Sequence, residues 1–225
     1  MVNLYDLSYQ YEIGDRVFPV LRHLNAHFTP GRLTMLIGAS GCGKTTLLCL
    51  LAGLLKCRQG RIEVFGQTVS GAGDAWFADY RAHTVGMIFQ QSHFIPGMNV
   101  LENIAAAAVI SDRISWSAAS ARAEQLLKKF DFSKYAAQRC ELLSCGEQQR
   151  VSVCRALVRN TKLLLCDEPT AALDRDNGIF LMEHLKKTAL SSERVVLVVT
   201  HDRYLLKYAD EIWEMKDGGL TLHAK

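Results

Sequence analysis

Residues 38–45 read GASGCGKT, which satisfies the phosphate-binding pattern G-x-x-x-x-G-K-[ST]. Glycines at Gly38, Gly41 and Gly43 let backbone N–H groups turn inward around phosphate oxygens, and a following helix adds the positive end of its dipole. In such a loop Lys44 reaches the β- and γ-phosphates of a nucleoside triphosphate, and the Thr45 hydroxyl ligates Mg²⁺. Much later, Asp167-Glu168 closes the apolar run KLLLCDE. Phosphoryl transfer depends on positioning and charge stabilisation, so one carboxylate would hold Mg²⁺ and the other would orient or deprotonate water. Alone, an acidic pair would more readily cap the helix after Pro169; the phosphate loop upstream reverses that preference. A third stretch, LLSCGEQQR at 142–150, runs small residues straight into a polar, helix-favouring tail. Small residues permit close backbone approach, and a helix N-terminus favours an anion.

These groups need a frame that brings them together. Two continuous apolar runs, at 162–168 and 194–202, read as buried parallel strands. A third, RLTMLIG at 32–38, ends in the glycine-rich turn, and TVGMIFQQ at 84–91 ends in two glutamines. Helical patterns lie between them, so the chain reads as an α/β fold with a largely parallel sheet. Ligands bind beyond the carboxyl ends of such strands, which puts the polar groups ending all four runs on one rim. The N-terminal third, with NLYDLSYQY and RIEVFG, reads as shorter antiparallel strands, and the region from residue 98 carries a mostly helical insert.

The 225 residues are 49% hydrophobic and 22% charged, enough for one domain with a substantial core. Net charge is +3 with the basic residues scattered, which argues against nucleic acid as a partner. Seven cysteines show no CxxC and no zinc-ligand spacing, and several sit in apolar runs as small hydrophobes. Free thiols in that number point to a reducing compartment. MVNLYDLSYQ lacks a signal-peptide pattern, and no apolar run is long enough to cross a membrane. A cytoplasmic protein is expected.

Together, and in this order, the motifs resemble the ATP-binding cassette (ABC) ATPase subunits of transport complexes over nearly the whole chain. GASGCGKTT resembles Walker A, LLLCDEP Walker B, and LLSCGEQQR the signature, usually LSGGQ or LSGGE. The resemblance implies a P-loop NTPase fold with a RecA-like, mostly parallel sheet core and an N-terminal antiparallel β-subdomain (1–97 and 159–225). It also implies a helical subdomain (98–158) carrying the signature.

ATP would be held by Gly38, Ala39, Ser40, Gly41, Cys42, Gly43, Lys44, Thr45 and Thr46, with Tyr11 stacking on adenine; Tyr5 and Tyr9 lie nearby. Asp167, Thr45 and Gln90 are the expected Mg²⁺ set, although Gln91 competes with Gln90 as the Q-loop glutamine. Glu168 would be the general base. His201 in VVTHD would be the switch histidine, and Lys44 and Gln90 complete the catalytic set. A lone histidine after a strand is more often structural; only the ordered set makes this one catalytic.

Ser144, Cys145, Gly146 and Glu147 of the signature, with Asp174 of the D-loop AALD, would meet the ATP of a second copy. Cys145 stands where the family has a glycine, and if that position requires φ > 0 its β-carbon costs on the order of 1 kcal/mol. The implied unit is therefore a head-to-tail dimer, of this chain or with a paralogous cassette, closed on two MgATP. Cys42 and Cys145 would then line one composite site, open to alkylation. A separate integral-membrane permease is the implied partner, docking beside residues 90–104, with the cassette peripheral on the cytoplasmic membrane face. The short length resembles the lipoprotein-release, macrolide-export and cell-division branch. The alternative in that branch is an ATPase that drives no transport and acts mechanically on a membrane protein.

Overall fold

The computed structural model describes residues 1–191 and 193–223. Two sheets organise it. In the first, β1 (Val2–Ile13), β2 (Arg16–Phe28), β4 (Gln59–Val64) and β5 (Gln67–Thr68) pair antiparallel in the order β2-β1-β4-β5. In the second, β3 (Leu33–Ile37), β6 (Val85–Ile88), β7 (Leu163–Asp167), β8 (Val195–Val199) and β9 (Glu211–Lys216) run parallel. β10 (Gly219–His223) pairs antiparallel with β9 at the edge, giving the order β10-β9-β3-β8-β7-β6. Six α-helices are formed among the described residues: α1 (Lys44–Leu51), α2 (Asp74–His83), α3 (Val100–Asp112), α4 (Trp116–Lys129), α5 (Cys145–Leu157) and α6 (Arg175–Ser191).

The four apolar runs are the four adjacent strands β3, β8, β7 and β6, the last at the sheet edge. β7 and β8 are buried at every position because both sheet faces are covered. The strand period of two splits their side chains between two cores. Leu164, Cys166, Val196 and Val198 face the helices α3–α6, while Leu163, Leu165, Val195 and Leu197 face α1 and the antiparallel sheet.

The parallel register then does the positioning. Asp167 lies level with Val199, Leu36 with Val199, and Ile88 with Cys166. The chain leaving each strand end therefore emerges on the same rim: Gly38 after β3, Glu168 after β7, His201 after β8 and Gln90 after β6.

Two features depart from the sequence reading. β1 and β2 are long rather than short, and their pairing is interrupted by three register shifts that break the alternation. α2 was not visible as a helix, yet Phe77 and Tyr80 share its buried face, with Trp76 stacked on Tyr80 at 5.0 Å between centroids. The Tyr80 hydroxyl donates to the Leu51 carbonyl at the end of α1 (2.7 Å), and burial pushes its phenol pKa up.

Candidate nucleotide site

Between β3 and α1 the backbone turns through Gly38 (φ 150°), Gly41 (φ 77°) and Gly43 (φ 109°). Gly38 has no alternative residue: a β-carbon there would lie 2.3 Å from the Met215 carbonyl oxygen of β9. The Lys44 ammonium folds back over the loop, donating to the carbonyls of Gly38 (2.9 Å) and Ala39 (2.7 Å). The same ammonium lies 3.6 Å from Cys42 Sγ, which packs against the apolar core under the loop.

The loop forms one wall of a cavity of about 620 Å³. Of the expected residues, Tyr11, Gly38, Ser40, Gly41, Gly43, Lys44, Thr45, Thr46, Gln90, Asp167, Glu168 and His201 line it. Ala39 and Cys42 are not among the lining residues, although Cys42 Sγ lies 3.6 Å from the ammonium of Lys44, which is. Gln91 is also absent from the lining, as are Tyr5 and Tyr9. Tyr5 instead lies under Arg61, and Tyr9 packs edge-on against Tyr11 (5.1 Å). Tyr11 reaches the loop helix directly, its hydroxyl 3.3 Å from Thr46 Oγ1. Val20 and Val199, neither singled out from the sequence, complete the wall; a valine in a strand carries no signal of that position.

On the strand side, Thr45 Oγ1 donates to Asp167 Oδ2 at 2.8 Å across 122 residues of sequence. Burial raises the Asp167 pKa above the ordinary carboxylate value; the Thr45 hydrogen bond and Lys44 oppose the shift, and Glu168 reinforces it. Glu168 sits at φ 47°, a left-handed backbone uncommon for a residue with a β-carbon. There its shielded carboxylate lies 2.8 Å from Nδ1 of the exposed His201. A carboxylate oriented by a strained backbone and a histidine partner, beside a phosphate loop, is equipped to hold and align a water molecule.

The signature stretch lies elsewhere, on a second cavity of about 590 Å³ lined by Ser144, Cys145, Gly146, Glu147 and Asp174. Ser144 is the N-cap of α5 and Glu147 its third residue. Glu147 accepts from the Ser144 N–H (2.9 Å) and hydroxyl (2.8 Å), while the Glu147 N–H donates to Ser144 Oγ (3.4 Å). This capping box was legible as S-x-x-E, a signal the sequence reading passed over. It ties up the Glu147 carboxylate and lowers its pKa, with hydrogen bonds from Tyr135 and Ser144 as the causes.

Cys145 is the exposed first residue of the helix and is not among the residues with positive φ. The strain considered for its β-carbon therefore does not arise. Gly146 is the demanding position, since a β-carbon there would stand 3.0 Å from the Ala172 carbonyl. Asp174 caps α6, accepting from the Asn177 N–H (2.9 Å) and side chain (2.7 Å), and Asn177 in turn accepts from Arg150 of α5.

The family model described as ABC transporter matches residues 21–171 of this sequence. The chain belongs to the ABC transporter family. It is an ATP-binding, ATP-hydrolysing cassette, with GASGCGKTT as its Walker A segment. Among similar proteins, HrtA of Staphylococcus saprophyticus, whose name ascribes it to hemin import, is 35% identical over 96% of each chain. The lipoprotein-releasing system ATP-binding protein LolD of Desulfotalea psychrophila is 34% identical over 96% of each chain. A dimeric ATP-binding cassette solved in a post-hydrolysis state with ADP and Pi superposes with a TM-score of 0.94 at 30% identity, covering 99% of this chain and 98% of that one.

The ABC cassette's Mg²⁺ would be held at Asp167 and Thr45. The residues fit that ion: a buried carboxylate with a raised pKa gains from a divalent cation, and the Thr45 hydroxyl already lies against it. Among the described residues no cluster of three His, Cys, Asp or Glu side chains could form an all-protein cage. That suits Mg²⁺, which takes one or two protein groups plus phosphate oxygens and water.

Proposed function

We propose that this ABC cassette works as a head-to-tail dimer on two MgATP and drives a separate transmembrane permease of the export or lipoprotein-release type. The observation that carries the reading is the separation of the two cavities. The Walker A cavity and the signature cavity share no lining residue among those described, so one copy leaves both half-built. A second copy turned end for end sets Ser144 and Gly146 over the phosphates held by the partner's loop.

In that closed site Tyr11 stacks on adenine, and the loop N–H groups with Lys44 bind the phosphates. Mg²⁺, when bound, neutralises charge on the β- and γ-oxygens. Glu168 takes the proton of the attacking water, His201 holds Glu168 and meets the γ-phosphate, and Gln90 steadies the water. Residues 98–158 act as the helical subdomain against a core of 1–97 and 159–225, with α3, α4 and α5 packed on one another. No helix among the described residues is long and apolar enough to cross a membrane. In this reading the permease holds the cassette at the cytoplasmic membrane face.

The test is Glu168→Gln, measured by light scattering after size exclusion. The variant is expected to dimerise at saturating MgATP, with turnover down about 10²- to 10⁴-fold, the range of a lost general base. A monomer under those conditions overturns the scheme.

A further inference from the structure

Tyr204 takes no part in the nucleotide chemistry above. It sits on a short 3₁₀ helix, Arg203–Tyr208, that begins just after His201. Asp202 caps this helix, its carboxylate accepting from the Tyr204 N–H at 2.9 Å. The tyrosine is 41% exposed and stands at a cavity of about 490 Å³. Thr170, Leu173, Asp174 and Arg175, where the chain enters α6, line the same cavity.

Two cations converge on this phenol. The Lys207 ammonium donates to its oxygen at 2.9 Å and lies 4.1 Å from the ring centre. The Arg175 guanidinium stands 4.3 Å from the ring centre. Among the described residues neither cation forms an ion pair. The carboxylates close by are engaged: Asp174 accepts from Asn177, and Asp202 from the Tyr204 N–H. Asp176 and Asp202 act on Arg175 only through space. Hydrogen bonds from Lys207 and Arg175 hold the Tyr204 pKa below the ordinary phenol value. Tyr80 is the opposite case, its hydroxyl buried on a carbonyl and its pKa pushed up by burial.

An exposed phenol whose anion is stabilised by neighbouring cations, beside open space, has what a nucleophile requires. The cations also select the electrophile. Attack on phosphorus builds negative charge on the non-bridging oxygens, and guanidinium and ammonium groups are the donors that such oxygens accept from most strongly.

We propose that Tyr204 is a covalent modification site, a nucleophilic phenol that takes a phosphoryl group from a phosphorus(V) ester carrying a leaving group. The phenol oxygen attacks phosphorus, and the new P–O bond forms as the bond to the leaving group breaks. The leaving group departs with its electron pair, the phenolic proton passes to water, and no oxidation state changes. Lys207 activates the oxygen and, with Arg175, holds the phosphoryl oxygen of the product. This site stands independently of the dimer and of the permease.

The full-length cassette, free of nucleotide and near neutral pH, is treated with an alkyl fluorophosphonate, from which fluoride leaves, and adducts are mapped and timed by mass spectrometry. The seven tyrosines of the chain supply the comparison. Tyr204 is expected to be labelled at least about tenfold faster than Tyr208 or any other tyrosine, and Lys207→Gln to slow that labelling at least about fivefold. Lys207→Arg, which keeps a cationic donor, should retain most of the rate, and Tyr204→Phe should lose the adduct. Basal ATPase should be unchanged in the Lys207 variants, which reports an intact fold.

Labelling spread evenly over the tyrosines, or confined to serine and lysine side chains, overturns the proposal. So does a Lys207→Gln chain labelled as fast as wild type, because the cation would then not be the activating group.

Discussion

The phosphate loop and the signature segment each open a helix, yet they are built differently. The loop before α1 turns through three glycines with positive φ and has no side-chain cap. The segment before α5 has no positive φ; its shape comes from the reciprocal Ser144–Glu147 cap, and its one close approach is Gly146 against Ala172. A loop shaped by backbone conformation cannot exchange its glycines, whereas one shaped by a cap tolerates a side chain wherever the helix has begun. By that contrast the backbone at 145 has no left-handed conformation for a cysteine to strain.

The contrast can be broken by substitution. Gly38→Ala should have the largest effect, since its methyl group collides with backbone: stability falls by roughly 2–4 kcal/mol and ATP binding is lost. Calorimetry with ATP titration checks it, and near-normal binding would mean the loop is not conformationally constrained. Asp167→Asn separates stability from function next. Burial raises the Asp167 pKa, so the folded chain holds that proton to higher pH than the unfolded chain does. The stability of the nucleotide-free chain therefore falls as pH rises from the ordinary carboxylate range through the raised value. The asparagine variant should flatten that slope and melt higher at neutral pH, while Mg²⁺-dependent turnover drops about a hundredfold or more.

A smaller effect distinguishes cap from ligand. If Glu147 acts through the cap, Glu147→Ala should cost about 1 kcal/mol and loosen the ATP-bound dimer roughly fivefold, while Glu147→Gln, which preserves a capping box, should keep most of both. Sedimentation at graded protein concentration reads the difference. The smallest effect is Cys145→Gly. With no left-handed strain to relieve, it should leave the melting temperature unchanged or lower stability by less than about 1 kcal/mol. A clear rise would restore the idea that residue 145 is strained.

The central sheet was legible because buried parallel strands leave unbroken apolar runs, and each run ended in the residue that faces the cavity. Walker A was legible because its glycines are required by conformation. The β1–β2 hairpin was less so, since its bulges spoil the alternation. α2 hid because its buried face rests on two aromatics in an otherwise polar stretch. Pairings across long separations, such as Thr45 with Asp167 or the signature helix with Asn177, leave no local trace. The separation of the two half-sites was legible only through the family resemblance, because no residue spacing carries it.

Lys44 closes on its own loop, holding the carbonyls of Gly38 and Ala39. In that position the ammonium is an internal tether that ties the end of β3 to the start of α1. The cation that serves the phosphates in the proposed mechanism is thus also a brace of its own loop. Replacing this lysine deletes a phosphate contact and slackens the scaffold at once. A lysine-substituted chain is thus a poor stand-in for a cassette that is merely empty, and intact protein without nucleotide is the cleaner reference.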